Sequence, residues 1–84
     1  MKFNRADYQN RIIDLAKLIP DDEPVFLIRA SDIVGPSAVR HWAKIAEQSG
    51  ATAGMVADAL IQANQMDGWQ RKHGKKIPDI PKRG

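Results

Sequence analysis

Val25-Phe26-Leu27-Ile28 is the one place in the chain where four large apolar residues stand together, and it limits the possible folds more than any other feature. An acidic lead-in, Asp21-Asp22-Glu23, and Pro24 precede it, and Arg29-Ala30-Ser31-Asp32 follows. A short apolar run rich in β-branched and aromatic residues reads as a buried extended strand, here Val25 to Ala30. A short helix is the competing reading, because an acid and a proline in a first turn are also helix-start signals. The strand lacks a mate. No second apolar β-run exists, and the prolines of Ile77-Pro78-Asp79-Ile80-Pro81 restrict the tail to edge pairing. Each buried backbone group left unpaired costs about 1–3 kcal/mol. Pairing with the same segment of a second subunit removes that cost, so a homodimer or larger homo-oligomer is expected.

The remaining chain carries helical periodicity. Asn4 is a good N-cap with Asp7 at N3, and Phe3 and Tyr8 take the places of a hydrophobic staple. Tyr8, Ile12, Leu15, Ala16 and Ile19 then form one apolar stripe that Pro20 ends. Gly35-Pro36 opens a second helix, with Ala38, Val39, Trp42, Ala43, Ile45, Ala46 and Ser49 on its inner side and Arg40, His41, Lys44 and Glu47 outside. Gly50 is its stop and Thr52 caps the next helix, so the two make a tight αα-hairpin. Met55, Val56, Ala59, Leu60, Ala63 and Met66 supply the third stripe, which continues to Trp69 and the residues before His73-Gly74. The expected fold is mainly α (α+β): three helices including an αα-hairpin, with one short strand paired in a homo-oligomer. Residues 1–74 form a single compact helical domain and 75–84 an extended, basic, proline-containing tail.

A chain of 84 residues buries only about 60–65% of its unfolded surface, so its stability is marginal alone or is shared with copies of itself. It has no cysteine, which removes disulfides, thiolate metal sites and cysteine nucleophiles and fits a cytoplasmic location. No apolar run approaches the roughly 20 residues of a membrane span. The net charge of +3 is uneven, with cations at Lys2, Arg5, Arg71, Lys72, Lys75, Lys76 and Lys82. Such an excess attracts phosphates. His41 and His73 lack the acids that a metal site would need. Catalytic signatures are missing too: there is no nucleophile elbow, no glycine-rich phosphate loop and no separated carboxylate pair.

Three constellations are candidates for binding. Arg29, Ser31 and Asp32 stand where the apolar run emerges ahead of a helix start, a place suited to an anion, although an Arg29–Asp32 ion pair explains them as well. Arg40, His41 and Lys44 form a basic stripe that Glu47 can neutralise as an ordinary solvated face. Trp69, followed by Arg71, Lys72, Lys75 and Lys76, can stack a base beside its phosphate, and Tyr8 can do the same; helix packing and stapling are the structural alternatives. In the nucleotide-binding arrangement Arg29, Arg40 and Lys44 take phosphate, Ser31 and the Gly35 region orient it, and Tyr8 or Trp69 covers the base. No cofactor and no metal are expected.

Two resemblances bear on function. Ile45 to Thr52, with Val56, Ala59 and Leu60, resembles the lactose-repressor type of helix-turn-helix over about a quarter of the chain. The positions that would read DNA hold Ala53, Gly54, Ala57 and Asp58, which make no bidentate base contact. Asp22 to Asp32, Pro36, Val39 to Ala43, Trp69-Gln70, Gly74, Lys76, Pro78-Asp79 and Pro81 resemble small phage- and prophage-encoded proteins over roughly residues 20–81. That resemblance implies a non-enzymatic, oligomeric binding protein of the host-cell cytoplasm. Its implied role is a sponge for a phosphorylated nucleotide immune signal, either a cyclic oligonucleotide or an ADP-ribose derivative, counteracting host defence. The alternatives are a DNA-binding regulator and an inhibitor that binds a host protein directly.

Overall fold

The structure, a computed structural model, describes residues 16–78. Its frame is a helical hairpin, α1 (Gly35–Gln48) and α2 (Ala53–His73). Pro36 lies in the first turn of α1, where its missing N–H costs nothing. Two bonds end α1, Gly50 N–H to the Glu47 carbonyl at 3.1 Å and Ala51 N–H to the Ala46 carbonyl at 2.9 Å. They form a Schellman closure, and Gly50 supplies the left-handed backbone it requires, with φ of 98°. Thr52 opens α2 in extended conformation, its hydroxyl accepting from the Met55 N–H at 3.3 Å. The expected hairpin and its turn residues are therefore formed.

Small residues let the helices close on one another. Ala43 of α1 and Ala63 of α2 are buried, flanked by Val56 and Met66, and with Pro36 these are the buried apolar side chains among the described residues. Burying Val56 and Met66 contributes about 1.5–3 kcal/mol each. Two polar clasps add to this core. Arg40 of α1 pairs with Asp67 of α2 and donates to Asn64 Oδ1 at 3.0 Å. Beyond the open end of the hairpin, Lys76 forms an isolated parallel bridge to the loop before α1. Its N–H donates to the Ser31 carbonyl at 2.9 Å, and its own carbonyl accepts from Ile33 at 2.8 Å.

Several expectations are corrected. Val25 to Ala30 is not a strand: Val25 is an isolated bridge residue, and residues 26–29 carry no regular structure. The oligomer-paired strand thus has no support among the described residues, and Ile28 of the run instead lines a surface of the hairpin. Nor is the segment a helix. The expected N-terminal helix does not reach Pro20. Residues 16–20 are not helical, and Lys17 occupies the left-handed region at φ of 53°. Its remainder, with Tyr8, lies outside the described residues. Arg40, assigned to the outer face, turns inward to Asp67, while Trp42, Ile45, Met55 and Leu60, assigned inward, are exposed. No helix among the described residues is long and apolar enough to cross a membrane.

Candidate functional site

Phe26 and Ile28 extend the hairpin's surface on one side and convert it into a groove. This open cavity of about 400 Å³ is lined by Phe26 and Ile28 from the run, Val39 and Trp42 from α1, and Ala59, Gln62 and Met66 from α2. None of the seven is charged. Phe26 remains 74% exposed and Trp42 51% exposed. Gly35 makes this approach possible: a β-carbon there would stand 2.8 Å from the Arg29 carbonyl oxygen and 3.4 Å from Ile28 Cγ2. The run can thus lie close against the start of α1, and Ile28 reaches the groove.

Two of the residues expected at the phosphate site, Asp32 and Arg40, bond within the chain. Arg29 is exposed, and its carbonyl accepts from the Asp32 N–H at 3.1 Å. Ser31 is half-buried and joins the strap through its main chain. The Asp32 carboxylate accepts from the Val34 N–H at 2.9 Å, and the Asp32 carbonyl takes the Gly35 N–H at 2.9 Å. An acid of the chain itself therefore sits at the start of α1, and Pro36 has no N–H to offer, which leaves few donors for an incoming anion. Arg40 is committed to Asp67 and Asn64, whereas Lys44 is exposed on α1. Trp69 is 40% exposed and stacks on His73, with ring centroids 4.6 Å apart and planes 29° apart. Tyr8 lies outside the described residues.

Sequence reasoning missed the groove itself, because it assigned Phe26 and Trp42 to a closed core. It also missed Asp67 and Gln70. Both continue the spacing of Val56, Ala63 and Met66 and so were legible as polar residues on an inward stripe. Among the described residues no cluster of His, Cys, Asp or Glu could hold a metal ion. No protein family, no curated protein and no solved structure matches the chain.

Proposed function

We propose that this chain is a non-enzymatic binding protein that works as a homo-oligomer, with the groove of one copy covered by the same face of another. The observation that carries this reading is the exposure of Phe26 and Trp42 on an uncharged concave surface. Large apolar side chains grouped in this way mark an interaction surface on a soluble chain. An uncharged lining also lets two chains of like net charge meet without repulsion at the contact. Sequestration of a phosphorylated nucleotide draws less support, because Arg40 and Asp32 are engaged within the chain.

Native mass spectrometry and light scattering at micromolar concentration test the proposal. The expected result is an oligomer that Phe26→Ser and Trp42→Gln convert to monomer while far-ultraviolet circular dichroism keeps its helical signal. A wild-type monomer at about 100 μM, weaker than any functional self-association at cellular concentrations, would overturn it.

A further inference from the structure

We propose that the C-terminal end of α2 and the strap after it form a binding site for single-stranded nucleic acid. In this site Lys72, Lys75 and Arg71 hold successive phosphates, and the Trp69–His73 stack offers a base a flat surface. The site is distinct from the groove and rests on different residues.

Charge is the first observation. Arg71, Lys72, Lys75 and Lys76 stand within six positions, and residues 68–78 contain no acid. Without those four, nine cations face ten acids in the rest of the chain, so the whole positive excess resides at this end. The second observation is that the charges of Arg71, Lys72 and Lys75 are available. Asp67 is the acid one turn before Arg71, placed to neutralise it, but the hairpin draws its carboxylate to Arg40. Among the described residues Arg71, Lys72 and Lys75 make no ion pair. Cations in a last helical turn complement the helix dipole, which accounts for Arg71, Lys72 and His73 but not for Lys75 beyond the helix.

The aromatic stack supplies what a dipole argument leaves unexplained. Helical spacing puts Lys72 and His73 beside Trp69, three and four residues on. Stacked at 4.6 Å and 29°, the two rings cover their facing sides, so a base would meet an outer face of the partly exposed stack, with Lys72 one turn from Trp69. The strap is held, since the Lys76 main chain bonds to Ser31 and Ile33, and this keeps Lys75 close to the helix end. An aromatic platform with adjacent cations serves bases that are already unstacked, and so it favours single strands over duplex. The start of α2, with Ala53, Gly54, Ala57 and Asp58, has no side chain suited to a major groove. A membrane surface fits less well. Arg71 and Lys72 are adjacent and point about 100° apart, so the helix end is not divided into apolar and cationic faces.

Fluorescence anisotropy of the full chain with a labelled oligothymidylate and an oligouridylate of about 15 nucleotides tests this. Binding is expected to weaken with salt, with a log–log slope near −2 for about three phosphate contacts. Lys72→Gln with Lys75→Gln should weaken it about tenfold or more, and Trp69→Leu by about tenfold. Lys44→Gln, the loss of one charge elsewhere on the surface, should stay within about twofold. Circular dichroism confirms that each variant is folded. The proposal is overturned by absent binding at about 100 μM protein in low salt, by equal loss in Lys44→Gln, or by tighter binding to duplex or to phosphatidylserine vesicles than to either oligonucleotide.

Discussion

Gln70 donates its side-chain amide to the main-chain oxygen of Asp32 at 2.8 Å, and the same nitrogen donates to the Ala30 carbonyl at 2.9 Å. One side chain of α2 thereby uses both its hydrogens to hold the loop from which α1 starts. The strap bond from Lys76 to Ser31 lies in the same stretch of loop. Gln70→Ala leaves two carbonyls without this donor and should cost about 1–2 kcal/mol. Denaturant unfolding gives that value. Hydrogen exchange should show the Ile33 amide, bonded to Lys76, losing protection before the centre of α2 does. Unchanged exchange at Ile33 would mean that the strap holds without Gln70.

Alanine at Gly35 and at Gly54 should act in opposite directions. At Gly35 the new methyl would meet the Arg29 carbonyl at 2.8 Å, a backbone atom that cannot swing aside. Displacing the run should cost about 1–3 kcal/mol and should loosen the groove that Ile28 lines. At Gly54, within α2, a β-carbon meets nothing within 4 Å. There alanine should stabilise by about 0.4–1 kcal/mol through lower backbone entropy of the unfolded chain. Two-state denaturation of the pair measures both signs, and equal effects would contradict the close approach at Gly35.

Gly50→Ala tests the hairpin turn without any steric contact, because nothing lies within 4 Å of the new methyl. Its φ of 98° is the whole cost. A left-handed alanine should lose about 1–2 kcal/mol, and Gly50→Asn should lose less, since asparagine tolerates that region better. Thermal unfolding of the two variants gives the order. Asparagine as damaging as alanine would place the cost somewhere other than backbone conformation.

The sequence made the hairpin legible because its signals are local. Pro36 at a helix start, the left-handed Gly50 and the Thr52 cap each act within one turn, and each is found in that role. The Val25–Ala30 run is less legible for the opposite reason: strand formation depends on a distant partner, and residues 26–29 form no ladder among the described residues. Periodicity showed that Trp42 and Met55 share a side with the core without showing that the core ends before reaching them. Arg40 was placed outside because an arginine normally faces water. Its inward turn needed knowledge of Asp67 on the other helix. The engagement of the Asp32 carboxylate by the Val34 N–H and of Arg40 by Asp67 is internal pairing that one-dimensional spacing does not reveal.

That same pair gives the last prediction. Arg40 and Asp67 are 39% and 34% exposed, so solvent screens their attraction even though the contact is close. A double-mutant cycle of Arg40→Met, Asp67→Asn and both together should return a coupling of about 0.5–1 kcal/mol, decreasing as salt is raised. Arg40→Met alone has a second consequence. It returns the Asp67 carboxylate to Arg71 one turn along α2, so affinity for a single-stranded oligonucleotide should fall although Arg40 itself lies in the other helix. Asp67→Asn should leave that affinity unchanged or raise it. Equal affinities in Arg40→Met and the wild type would show that Arg71 does not depend on the pairing across the hairpin.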